Sequence, residues 1–149
     1  MFEIRDIAIS DYDTVLPMVQ EFYHSSSAVE HDVDSAILER SLRAAADPAE
    51  PMLRGLLLLE DGAAVGYAYV TRYYSAEVGA HCLMFEELYF KESCRGKGYG
   101  TRVFQYVMAE YPDCGRIRLE VTDANKGAIR LYERLGFRFL QYGQMVLDR

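Results

Sequence analysis

The chain has 149 residues, half of them hydrophobic, and a formal charge of −7 from 16 basic and 23 acidic side chains. That is the length of one domain, residues 1–149, with enough apolar material for a core without disulfide or metal staples. The acidic balance argues against nonspecific nucleic-acid binding, which needs a basic face, and suits a cationic partner.

Cys82, Cys94 and Cys114 show no CxxC spacing, and His24, His31 and His81 lack the spacing of metal ligands. No metal is expected, and unpaired thiols fit a reducing, cytoplasmic setting. The opening Met1–Asp6 carries acidic residues too early for a signal peptide, and no apolar run is long enough to span a bilayer.

Phe2, Ile4 and Ile7 predict a first strand. Ser10-Asp11 caps a helix with Val15, Leu16, Val19, Phe22 and Tyr23 on one face. Ser25-Ser26-Ser27 interrupts it, and a second helix starts at Asp34-Ser35 with Ile37, Leu38 and Leu42. A Pro/Asp-rich loop follows. Leu56 to Leu59 predicts a buried strand, Asp61-Gly62 a hairpin turn, and Val65, Tyr67, Tyr69 and Val70 the returning strand. After a break at Ser75 to Gly79, a long strand runs from about Cys82 to Phe90.

A glycine-rich turn comes next. It leads into a helix with Val103, Phe104, Val107, Met108 and Tyr111 on its apolar face. Ile117, Leu119 and Val121 alternate with polar residues in another strand. Asn125 caps a short helix bearing Ala128, Leu131, Tyr132 and Leu135, and Gly136 suits its C-terminal stop. Phe137 and Phe139, then Met145, Val146 and Leu147, flank Tyr142-Gly143 as a closing hairpin. The order β-α-α-β-β-β-α-β-α-β-β is a mixed α/β domain.

The turn Arg95-Gly96-Lys97-Gly98-Tyr99-Gly100 carries the most chemistry. A strand, a glycine-rich turn and a helix start together form a cradle for pyrophosphate, because glycine admits close main-chain approach and the helix start offers unpaired N–H groups. A P-loop would need GxxxxGK[ST], but Lys91 replaces its first glycine and Gly98 follows Lys97. The dinucleotide fingerprint GxGxxG would need glycine where Thr101 stands, and near the first strand rather than the fourth.

The segment instead matches [QR]-x-x-G-x-[GA]. Leu88-Tyr89-Phe90 lies just upstream, and Asn125, Ala128, Tyr132, Gly136 and Phe137 match N-x-x-A-x-x-x-Y-x-x-x-G-F downstream. In these motifs and their order the chain resembles the GNAT N-acetyltransferase superfamily. The resemblance implies a mixed, mostly antiparallel sheet of about seven strands flanked by four helices. Its fourth and fifth strands, residues 82–90 and 116–122, would splay around acetyl-CoA. It implies an acetyl-CoA-dependent N-acetyltransferase that moves the acetyl group directly to a primary amine of a small molecule or peptide. A noncatalytic acyl-CoA-binding module on the same fold is the alternative. Dimers are common in the family, and an exposed final hairpin could pair two copies.

The resemblance also suggests roles. Main-chain N–H groups of Gly96, Lys97, Gly98, Tyr99, Gly100 and Thr101 would hold the pyrophosphate, with charge from Arg95 and Lys97. Main-chain groups of Leu88 and Phe90 would orient the pantetheine arm and acetyl carbonyl. Asn125 combines capping with a coenzyme contact. Tyr132 would protonate the departing thiolate; its other reading is a core aromatic beside Leu131 and Leu135. An alkylamine of pKa about 10 is protonated at neutral pH, so a base or water relay is needed. Glu86 and Glu87 are the candidates. Strand alternation allows only one to face the cleft, and places Glu86 with Leu88 and Phe90. Tyr23, His24, Tyr73, Tyr74 and Tyr89, with Glu30, Asp32 and Glu86, would form an acceptor pocket for a cationic amine.

Overall fold

The chain's computed structural model describes residues 1–24, 29 and 31–149. The predicted interruption at Ser25-Ser26-Ser27 and the expected contribution of Glu30 lie outside the described residues. Strand β1 (Phe2–Asp6) leads through a 3-10 turn (Ile9–Asp11) into helix α1 (Tyr12–His24), followed by α2 (Ser35–Ala45). Asp34 caps α2 by accepting a hydrogen bond from the main-chain N–H of Ala36 at 2.9 Å. Three antiparallel strands follow: β2 (Leu53–Glu60), β3 (Ala63–Ser75) and β4 (Ala80–Phe90). Asp61 and Gly62 both take positive φ, 50° and 80°, as the tight β2–β3 hairpin requires. Helix α3 (Tyr99–Glu110), strand β5 (Ile117–Leu119) and helix α4 (Lys126–Arg134) complete the elements.

The sheet order is β1-β2-β3-β4-β5, antiparallel except for the parallel pair β4–β5. Five strands are thus present among the described residues, against the expected number of about seven. The closing hairpin is what is missing. Residues 137–149 form no strand, and Met145, Val146 and Leu147 are almost fully exposed. A three-residue apolar run without alternation fixes no pairing register, and the chain before it is held elsewhere, with Tyr142 donating to Glu77 at 3.0 Å.

Alternation along β2 and β3 divides the core into two layers. Leu57, Leu59, Tyr67, Tyr69 and Tyr89 face α1 and α2, packing on Val15, Met18, Val19, Leu38 and Leu42. Leu56, Leu58, Ala68, Val70, Leu83 and Phe85 face α3 and pack on Val103, Phe104 and Val107.

Two irregularities change this phase. Leu58 pairs with Gly66 and Leu59 with Ala64, so Val65 is an extra residue in β3. Tyr69 pairs with Glu87 and Val70 with Phe85, so Glu86 is an extra residue in β4. A bulge of this kind sets two residues of one strand against one of its neighbour and bends the strand.

Candidate functional site

The bulge at Glu86 coincides with the point where β4 and β5 part. Their pairing covers Leu83–Ile117, Met84–Arg118 and Phe85–Leu119, and then ends. Beyond it β4 continues through Phe90 against β3 alone, so the edge of residues 86–90 that looks toward β5 is open. A small cavity of about 40 Å³ occupies this notch, lined by residues that include Glu86, Glu87, Leu88, Glu120, Asn125 and Tyr132. A larger groove of about 870 Å³ runs along β5, α4 and residues 137–144, and contains no residue of the glycine turn.

At the outer end of β4, the last main-chain bond before the turn is Arg95 N–H to Glu92 O at 3.2 Å; the first after it is Arg102 N–H to Gly98 O at 3.4 Å. Between them, among the described residues, the N–H groups of residues 96–101 have no main-chain acceptor. Gly96 and Gly98 take φ of 75° and 78°, and a Cβ built on either would have no neighbour within 4 Å. The turn therefore presents bare backbone to open space beside the start of α3, where the helix dipole favours an anion. This fits a diphosphate. The expected side-chain charges are partly engaged elsewhere: Arg95 Nε donates to the carbonyl of Phe90 at 3.0 Å, and Lys97 Nζ donates to Glu60 at 2.9 Å.

The two carboxylates correct the expectation from strand alternation. Leu88 and Phe90 pack in the α3 layer. Glu86 instead accepts a hydrogen bond from Thr71 Oγ1 at 3.0 Å, and Thr71 shares its β3 phase with Tyr67 and Tyr69 on the α1/α2 side. Glu87 faces that side as well, accepting from the hydroxyls of Tyr67, at 2.5 Å, and Tyr23. Because the bulge advances β4 by one residue, Glu86 and Glu87 lie on the same side of the sheet, and the rule that only one can do so fails here.

Their environments differ. Glu86 is exposed, whereas Glu87 is 7% exposed. Burial raises the Glu87 pKa, opposed by the two phenol donors and reinforced by the Glu86 charge. Burial, with help from the Glu87 charge, also raises the pKa of Tyr23 and Tyr67, so both stay protonated donors.

Tyr132 lies at the notch with its ring edge-on to Phe104, centroids 5.8 Å apart, and tilted against Phe137 at 5.8 Å. Burial pushes its pKa up to about 12, and its hydroxyl has no hydrogen-bond partner among the described residues. Asn125 caps α4 by accepting from Ala128 N–H at 3.3 Å, and it lines the same notch.

The remaining acceptor-side residues are only partly gathered. Tyr23 is in place on Glu87. His24 ends α1 on the surface. Tyr73 lies on the Thr71 side of β3, two residues further from the bulge, opposite Cys82. Tyr74 falls on the opposite phase, exposed, with its ring edge-on to His81 at 5.3 Å, and does not join the others. Sequence reasoning missed Tyr67 and Thr71, which secure the two carboxylates. Both sit in an ordinary strand pattern, so only the register of β3 on β4 reveals them.

Similarity to known proteins agrees with this geometry. Residues 14–137 match the model of the Acetyltransferase (GNAT) family. The chain is 29% identical to a thialysine N-epsilon-acetyltransferase of Mus musculus over 143 residues, covering 89% of this chain and 82% of that protein. Its fold resembles a crystal structure described as a possible acetyltransferase from Clostridium difficile 630, with a TM-score of 0.81, 19% identity and coverage of 100% and 98% of the two chains. It also resembles an aminoglycoside N-acetyltransferase in complex with CoA, with a TM-score of 0.78, 13% identity and coverage of 100% and 95%. The open strand edge, the bare glycine turn and the match over most of the length lead to one assignment: this chain belongs to the GNAT acetyltransferase family and is an N-acetyltransferase.

Proposed function

We propose that the enzyme transfers an acetyl group directly from acetyl-CoA to a primary amine on a small cationic molecule or peptide. The observation that carries this reading is the end of β4–β5 pairing at Phe85 and Leu119. It leaves an open strand edge with bare amides at one end and Glu86, Glu87 and Tyr132 around the notch.

The amides of residues 96–101 would hold the diphosphate, and the open edge at Leu88 to Phe90 would pair with the pantetheine arm as a further strand would. An N–H on that edge would polarise the acetyl carbonyl as negative charge develops on its oxygen. Glu86, whose carboxylate is exposed, would draw the ammonium form of the acceptor and take its proton directly or through water. Glu87, tied to two phenols, would fix the bulge that presents Glu86. Tyr132 would face the sulfur. A thiol of pKa about 8.5 is more acidic than this phenol, so Tyr132 would mainly donate a hydrogen bond to the departing thiolate.

The relative from Mus musculus acts, by its name, on an ε-nitrogen. That supports a primary amine at the end of an extended, positively charged acceptor. The test is release of free CoA thiol from acetyl-CoA with polyamines, basic amino acids, aminoglycosides and peptide N-termini as acceptors. Turnover confined to neutral or acidic amino acids would defeat the cationic acceptor.

A further inference from the structure

We propose that Glu60, at the end of β2, is a positioning residue for acetyl-CoA, one that sets the shape of the glycine turn from outside it. This rests on the reading that the turn binds the coenzyme. Three side chains that bracket the turn converge on this one carboxylate. Lys97, between the two left-handed glycines, donates to both of its oxygens at 2.9 and 3.1 Å. Tyr99, the first residue of α3, donates its hydroxyl to Oε1. Cys94 approaches Oε2 with its thiol at 3.8 Å from the other side of the turn.

Glu60 thus holds the chain before, within and after Gly96 and Gly98. The Tyr99 ring is fixed on its own account. It stacks on Phe2 with centroids 4.1 Å apart and planes 8° apart, while the Arg102 guanidinium lies 4.9 Å from the Phe2 ring. The start of α3 is therefore tied to the ends of both β1 and β2.

A carboxylate is the wrong charge to place beside a diphosphate site unless it does something there. The contacts supply the explanation. Glycines lose more conformational freedom on ordering than other residues, so a turn with three of them within five residues would pay that entropy each time the diphosphate binds. Tethering both flanks beforehand removes part of that cost, and the gain appears in ligand affinity. The ion pair itself is partly exposed, with side-chain accessibilities of 43% for Lys97 and 24% for Glu60, and contributes little to folding. Its effect should therefore fall on coenzyme binding rather than on global stability.

The experiment compares the unmodified enzyme with Glu60→Ala, Glu60→Gln and Tyr99→Phe by calorimetry with CoA and by steady-state kinetics. Glu60→Ala is expected to weaken CoA binding and raise the acetyl-CoA KM by about tenfold, with the acceptor KM unchanged and kcat within about twofold. Glu60→Gln keeps an acceptor oxygen for Tyr99 and should recover most of the affinity. Tyr99→Phe, which removes one tether and no packing, should show an intermediate loss even if Glu60→Ala folds poorly. Unaltered CoA binding in Tyr99→Phe and in whichever Glu60 variants fold would overturn the proposal, as would equal rises in both KM values. No heat of CoA binding to the unmodified enzyme would instead refute the coenzyme site itself.

Discussion

Gly98 and Gly62 form a matched pair that separates strain on the fold from obstruction of the cradle. Their φ values are 78° and 80°, and neither would bring a Cβ within 4 Å of another group. Replacing either by alanine should therefore cost the fold the same left-handed strain, about 1–2 kcal/mol. The loss of unfolded-chain freedom offsets about 0.4–1 kcal/mol of it. The net cost of about 1 kcal/mol corresponds to a fall in Tm of roughly 2–4 °C for a chain of this size. The two variants should melt together. Only Gly98→Ala adds a methyl among the N–H groups of residues 96–101, so only it should weaken CoA binding, by about tenfold or more. Thermal melting and CoA calorimetry on the same preparations read both quantities. Equal CoA affinity in Gly98→Ala and Gly62→Ala would refute the amide cradle. A much larger Tm loss in Gly98→Ala would show that something other than φ strain acts at that position.

Other variants probe the remaining residues. Tyr132→Phe removes one hydrogen bond to the developing thiolate and should lower kcat by about 10- to 100-fold with CoA affinity nearly unchanged; undiminished turnover would remove Tyr132 from the chemistry. Glu86→Gln should raise the KM for a cationic acceptor by roughly three- to tenfold and leave that for acetyl-CoA alone; an unchanged acceptor KM would place the amine elsewhere. The pKa of Glu87 is raised in the fold above its ordinary value of 4.5. The native state therefore holds this proton more tightly than the unfolded chain. The stability this confers is complete below pH 4.5 and is lost as pH rises through the folded pKa. Glu87→Gln does not titrate, so urea midpoints measured from pH 4 to 8 should move in its favour relative to the parent. A difference independent of pH would contradict the raised pKa.

What could be read in advance was whatever the local chain dictates. Gly96 and Gly98 announce a turn because glycine takes left-handed φ at lower cost than other residues. Asp34 and Asn125 announce helix starts because the capping bond spans only two or three positions. The arrangement of the carboxylates could not be read, because a bulge is a property of two strands in register. In sequence Glu86-Glu87 is simply an alternating pair. Tyr23 reaches Glu87 across 64 positions and Tyr99 reaches Glu60 across 39, and no spacing rule links them. Two apolar runs around Tyr142-Gly143 suggest a closing hairpin, but such a pattern sets no register. The fold instead leaves Tyr142 donating to Glu77 at 3.0 Å, with the residues beyond it in solvent.

The extra residue in β4 gives the enzyme two neighbouring positions with opposite mutational freedom. Glu86 is left over in the ladder, so another side chain there would move neither layer of the core and, on the acceptor role proposed for it, would alter what an incoming amine meets. Glu87 has no such latitude, because two phenols from a helix and an adjacent strand converge on it. Shifts in acceptor preference among enzymes with this bulge should therefore accumulate at the first of these positions and spare the second.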